Sequence, residues 1–251
     1  MSPSSRVLVE ICLDDLSGVG AAERAGADRI ELCAALSEGG ITPSIGTVAG
    51  ALQAARRIDV NVLVRQRPGD FVYTAEEVEA MVADIRAMRS LPRADGVALG
   101  FVIGALAPDG TVDLPATARL AQACGEAPVT FHKAFDQVPD RIAALEQLVS
   151  LGVTRILTSG GAPSALDGAA ELGELVRRAG DRVTILAGGG VRPANAAEVV
   201  RRTGVREVHL RAMEAVPSAS STASVYDTGT REVTSEAVVA AVVASVSEVA
   251  A

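Results

Sequence analysis

The sequence predicts a single α/β domain over residues 1–251, an eight-stranded TIM (β/α)8 barrel, and three observations carry that prediction. Strand-like and helix-like stretches alternate regularly, which argues for a parallel sheet, and eight repeats favour closure over an open doubly wound sheet. Polar and glycine-rich segments follow the strands (Glu38-Gly-Gly40, Pro68-Gly-Asp70, Ser159-Gly-Gly161, Gly188-Gly-Gly190), whereas the turns before strands, such as Gly26-Ala-Asp28 and Gly152-Val153, are plain. Finally, Arg29-Ile-Glu-Leu-Cys33 alternates with a strand's period of two, placing Arg29, Glu31 and Cys33 on one face and Ile30 and Leu32 on the other. The outward face of a barrel strand packs on helices and must be apolar. The polar three therefore point inward, toward the mouth where barrels carry their chemistry.

After a loose terminus, residues 6–12 read as the first strand and 16–25 as a helix closed by Gly26. Residues 29–33 form the second strand, 44–57 a helix entered through Pro43, and 60–67 the third strand. Thr74-Ala-Glu-Glu77 is a capping box opening a helix that ends near Arg89. The fourth strand covers 96–102; Asp109-Gly110 marks a turn before a helix over 114–124, and strand 128–133 precedes a helix over 139–151. Strands 154–158, 183–187 and 207–210 alternate with helices near 165–179 and 193–203, and 235–249 supplies the last helix. Only 214–232, rich in Ser, Thr and Ala, breaks the pattern and reads as a long loop, a lid or a mobile segment.

The composition excludes several functions. A formal charge of −8 and the absence of Trp argue against nucleic-acid binding, since neither a basic patch nor stacking platforms are available. No apolar run of about 18 residues suggests a membrane span. Three cysteines in 251 residues make no disulfide framework, and with no signal-peptide pattern the chain is expected to be cytoplasmic with reduced thiols.

The candidate chemistry lies on the strands. Val9-Glu-Ile-Cys12 is echoed by Ile30-Glu-Leu-Cys33, so two neighbouring strands each carry Glu and Cys inward, and Cys12 and Cys33 are expected at equivalent heights. Soft thiolates select Cu(I) or Zn(II), although two cysteines without a third ligand make an incomplete zinc site, and buried free cysteine is also a common small hydrophobe. Cys124 lies on a helix and reads as packing. Arg65 and Arg67 share strand parity and require anions, either Glu10 and Glu31 or a small anionic ligand. His132 stands at a strand end beside Lys133 and Asp136, and ranks above His209 as a proton-transfer candidate. Glu10, Arg29, Glu31, Arg65 and His132 are expected to converge at one end of the barrel. Gly188, Gly189 and Gly190, followed by a helix opened by Pro193, offer backbone N–H groups to a phosphate, with Ser159 and Gly160 a weaker version; glycines there also suit tight turns.

Several of these phrases together resemble the CutC family of copper homeostasis proteins. They are Val9-Glu-Ile-Cys12, Gly26-Ala-Asp-Arg-Ile-Glu-Leu-Cys33, Glu38-Gly-Gly-Ile-Thr-Pro-Ser44, Arg65 with Arg67 and Gly69-Asp-Phe71, Thr130-Phe-His132, Ala134-Phe-Asp136 and Arg155-Ile-Leu-Thr-Ser-Gly160. The resemblance implies a TIM barrel, Cu(I) handling in the cytoplasm, a homo-oligomer, and copper held by Cys12 and Cys33. Arg65-Gln-Arg-Pro-Gly-Asp70, Lys133 and His209-Leu-Arg-Ala-Met213 depart from the family pattern at the rim. Two functions follow: a Cu(I)-binding homeostasis protein, or an isomerase- or lyase-type enzyme whose Arg65 and Arg67 bind an anionic molecule while His132, Asp136 or a glutamate (Glu10, Glu31) moves a proton.

Overall fold

The computed structural model describes residues 6–220, 227 and 229–249. Eight parallel strands close into a barrel in sequence order: β1 (Leu8–Leu13), β2 (Arg29–Leu32), β3 (Asp59–Leu63), β4 (Leu99–Ile103), β5 (Val129–Phe131), β6 (Arg155–Thr158), β7 (Thr184–Gly188) and β8 (Glu207–Leu210), with β8 pairing back onto β1. The helices between them are α1 (Leu16–Arg24), α2 (Ile45–Ala54), α3 (Ala75–Arg89), α4 (Leu114–Cys124), α5 (Arg141–Ser150), α6 (Ala169–Ala179) and α7 (Ala196–Thr203), and α8 (Glu236–Ser247) follows the last barrel strand.

The apolar residues segregate as the period of two requires. Val9, Ile11, Ile30, Leu32, Val60, Val62, Phe101, Ile103, Phe131 and Ile156 face outward into the main core beneath the helices. A second, small apolar cluster of Cys33, Leu63 and Val102, with Cys12 and Leu36 against it, lies separate from that core. Each large side chain so buried contributes about 1.5–3 kcal/mol. Helix starts are set by side chains: Thr74 and Glu77 complete the capping box of α3, while Ser44, Asp113 and Asp140 accept the free N–H groups of α2, α4 and α5.

Three expectations need correction. The segment after β8 is not structureless: Met213–Pro217 (β9) and Thr230–Thr234 (β10) pair as an antiparallel hairpin, and only residues 221–226 and 228 of it lie outside the described residues. Its strands are exposed on both faces, so no apolar alternation advertises them. Pro193 does not open a helix; α7 starts at Ala196, because Asn195 turns back to accept from Arg192 N and to donate to Gly190 O. Strand β3 ends at Leu63, so parity beyond it no longer decides direction: Arg65 is buried, but Arg67 stays partly exposed, paired with Asp70 and Glu77.

Candidate metal centre in the barrel

The polar residues inside the barrel occupy three levels instead of one converging group. At the floor, where strands begin, Arg29 bridges Glu10 and Glu207, while Arg155 donates to Glu207 (2.9 Å) and Asn61 to Glu10 (3.1 Å). Arg29 is the first residue of its strand, so its guanidinium meets carboxylates at the N-terminal end and is not available to an anion at the mouth. Two cations and two carboxylates balance there. Burial alone would raise the pKa of Glu10, yet Arg29 and His209 outweigh it and hold the carboxyl at about 2.

Above the floor sits the sulfur level. The Sγ atoms of Cys12 and Cys33 are 3.8 Å apart, with Cys33 buried and Cys12 half-buried. The strand ladder aligns Cys12 with Glu31 and not with Cys33. The expected equal height is therefore off by two residues, and the stagger of tilted barrel strands, with side chains leaning together, restores the contact. Glu31 belongs to the same group: one ligand atom from each of Cys12, Glu31 and Cys33 lies within 4.8 Å of the others, and Glu10, Glu31 and His209 form a second such set. His209 Nδ1 lies 2.8 Å from Glu10 and 3.5 Å from Glu31.

The electrostatics make this level uneven. The hydrogen bond from Cys33 pulls the Cys12 thiol down to about 6 against burial, with His209 assisting. Cys33, as donor, is pushed well above the ordinary thiol value by that bond and by burial. Burial and the Cys12 charge raise Glu31 to about 8. Burial opposes protonation of His209, but Cys12, Glu10 and Glu31 around it win and raise its pKa well above the usual imidazole range. Cys124, by contrast, is pushed to about 12 by burial and donates to Leu120 O. A thiol drawn toward thiolate, a second thiol and a carboxyl thus meet in a nearly dry place beside a protonated imidazole, and the two sulfurs with Glu31 make a donor set suited to a soft or borderline cation.

At the mouth, His132 is buried against Phe71, ring centroids 4.8 Å apart, and Arg65 reaches Gly40 O and Gly69 O, both at 2.8 Å. Burial and the Arg65 charge push His132 down to about 3, so it is a neutral imidazole. Asp136 is consumed by its own loops: it accepts from Lys133 Nζ (2.7 Å), Ser159 N (3.0 Å), Ser159 Oγ (2.9 Å) and Gly161 N (3.0 Å). Ser159 is thus a tie between the β5 and β6 loops, and Gly160 has φ +72°, a turn conformation. Gly188 ends β7, and Gly189 (φ +99°) lies so close to Lys133 and Ser159 that a Cβ would come within 3.0 Å of Nζ. Gly190 lends its carbonyl to Asn195. With α7 starting six residues later, the glycines serve close packing and have no helix N-terminus at hand. The hairpin β9–β10 covers the Cys12 side of the mouth, where Thr234 donates to Asp15 and Arg211 pairs with Glu232 at 2.7 Å.

His209, which strand reasoning placed below His132, is the histidine that stands beside Cys12 and Glu10. Its parity on β8 matches Glu207, but only closure of β8 against β1, which sets Glu10 opposite His209, shows that it joins the cysteines.

The family model for CutC matches residues 7–214. The chain belongs to the CutC family. Among its relatives, a CutC family protein of Mesorhizobium japonicum is 49% identical over 211 residues, covering 84% of this chain and 80% of that protein. The human copper homeostasis protein cutC homolog is 44% identical over 205 residues, 82% of this chain and 73% of that one. A CutC crystal structure from Streptococcus agalactiae superposes with a TM-score of 0.75 at 34% identity, covering 81% of this chain and 97% of that one. Phosphoribosylanthranilate isomerase of Thermotoga maritima shares the barrel alone, at 13% identity and a TM-score of 0.56, with 96% and 99% covered. No helix among the described residues is long and apolar enough to cross a membrane.

Proposed function

We propose that the chain serves copper homeostasis by holding one Cu(I) ion between Cys12 and Cys33. The carrying observation is the 3.8 Å separation of the two sulfurs, from neighbouring strands, inside a small apolar cluster. Metal–thiolate bonds of about 2.3 Å, as in zinc sites, let one ion bridge sulfurs up to about 4.6 Å apart. Little movement is needed. Cys12 is already drawn toward thiolate, Leu63 and Val102 exclude water, and the relatives' names associate the family with copper. Two soft sulfurs favour Cu(I), whereas Zn(II) would recruit Glu31 as a third, harder ligand. Reduced thiols are required, which fits the cytoplasm.

An anaerobic competition titration against a Cu(I) chelator tests the reading. The parent is expected to bind one ion per chain. Cys12→Ser and Cys33→Ser should each weaken binding by at least about 100-fold, because a single soft ligand remains, while Cys124→Ser should leave it unchanged. Glu31→Gln should weaken Zn(II) and spare Cu(I). If the double variant Cys12→Ser/Cys33→Ser binds Cu(I) as tightly as the parent, the copper function is wrong.

A further inference from the structure

Six buried side-chain nitrogen or oxygen atoms among the described residues lack a well-formed hydrogen bond, and three of them, Arg65 Nε, Tyr73 Oη and His132 Nε2, gather around the Arg65 guanidinium at the barrel mouth, where Tyr73 Oη is placed to accept from Arg65 but its own hydrogen meets no acceptor. A buried donor left without an acceptor costs about 1–3 kcal/mol, and three together at one place point to a missing partner. All three can donate. Ala134 N–H donates to His132 Nδ1 (3.2 Å), which puts the imidazole hydrogen on Nε2. Arg65 Nε–H is a donor in every state, and the Tyr73 hydroxyl faces the guanidinium with burial holding it protonated.

The charge balance agrees. Deeper in the barrel Arg29 and Arg155 each meet a carboxylate, but the Arg65 guanidinium, in a side chain only 7% exposed, meets the carbonyls of Glu38, Gly40 and Gly69, the Tyr73 hydroxyl and the Phe71 ring, and pairs with no carboxylate among the described residues. Carbonyls satisfy its Nη donors and leave the charge uncompensated. The surroundings are built for this placement: a Cβ on Gly104 would come within 2.3 Å of the His132 ring, and Phe71 lies 4.8 Å from that ring and 5.0 Å from Arg65.

We propose that Arg65, Tyr73 and His132 form a binding site for a small organic carboxylate, separate from the sulfur site below it. Arg65 supplies the charge, and the neutral His132 and Tyr73 supply two directed hydrogen bonds without adding to it. A monoanion is thus matched; a phosphate dianion would call for more cations or backbone N–H groups than are present. Phe71 packs against both the Arg65 guanidinium and the His132 ring, so a ligand reaching the donors would have to displace it. This site would serve a sensor or an enzyme of the barrel type equally, and it does not depend on copper.

Isothermal titration with pyruvate and with lactate, each at millimolar concentration, and with inorganic phosphate in parallel, tests it. Saturable binding of at least one carboxylate is expected, with phosphate weaker. Tyr73→Phe removes a hydroxyl whose hydrogen meets no acceptor and should weaken the carboxylate about tenfold while the melting temperature holds, a combination that a packing role would not give. His132→Gln should weaken it similarly, and Cys12→Ser/Cys33→Ser should leave it unchanged, so failure here is distinct from failure of the copper function. Absence of binding by either carboxylate, phosphate binding more tightly than both, or a Tyr73→Phe variant that binds as well as the parent would each overturn the proposal.

Discussion

His132 and His209 are the chain's two histidines, and their surroundings drive them in opposite directions. His132 meets burial and the positive Arg65 and is held neutral down to about pH 3; His209 meets Cys12, Glu10 and Glu31 and is held protonated. In the unfolded chain both would titrate near 6.5. Between pH 6.5 and 3 the unfolded state therefore binds a proton at position 132 that the native state refuses, so the stability from His132 is full above 6.5 and lost as the pH falls. Glu31, raised to about 8, contributes with the opposite sign over part of that window, so the difference between two proteins isolates the histidine. Urea unfolding of the parent and of His132→Gln at pH 6.0 and 5.0 should show slopes differing by up to about 1.4 kcal/mol per pH unit, the parent losing more on acidification. Identical slopes would mean that His132 is not buried in neutral form.

At the scale of elements, what shapes the mouth is the pairing of loops. The carboxylate of Asp136 joins the turn after β5 to Thr158, Ser159 and Gly161 after β6, and burial of that carboxylate is outweighed by Lys133 and these donors, which lower its pKa. Asp136→Ala would leave several N–H and O–H groups unanswered, an expected loss of about 2–4 kcal/mol in chemical unfolding with Cu(I) stoichiometry retained. A variant as stable as the parent would free Asp136 for the proton-transfer role that its position after a strand first suggested. Helix α4 was fully legible, 114–124 in sequence and in structure, because Asp113, Pro115 and Gly125 punctuate it locally. The hairpin β9–β10 was not, since a polar ribbon exposed on both faces leaves no apolar period to read.

Across the whole molecule, closure of the barrel creates the floor on which the upper levels rest. Arg29 lies between Glu10, 19 positions away, and Glu207, 178 positions away. Removing the cation leaves Glu207 with Arg155 alone and Glu10 with Asn61 and His209, two buried carboxylates each short of a partner, so Arg29→Met should cost about 3–5 kcal/mol, seen as a lower unfolding midpoint in denaturant. A loss below 1 kcal/mol would mean that water reaches the floor and screens the pair.

Strand parity is a property of adjacent residues, which is why the sequence alone determined the barrel, the inward direction of Glu10, Cys12, Glu31 and Cys33, and the candidacy of both cysteines. Height along the barrel axis, by contrast, depends on strand tilt and on where each strand begins and ends, and no local pattern encodes it. The tertiary structure therefore decided that Arg29 belongs to the floor, that the sulfurs meet despite a two-residue offset in register, and that Arg67 leaves the interior once β3 has ended. It also decided the company of His209, because the contact with Glu10 spans 199 positions and exists only once the last strand hydrogen-bonds to the first.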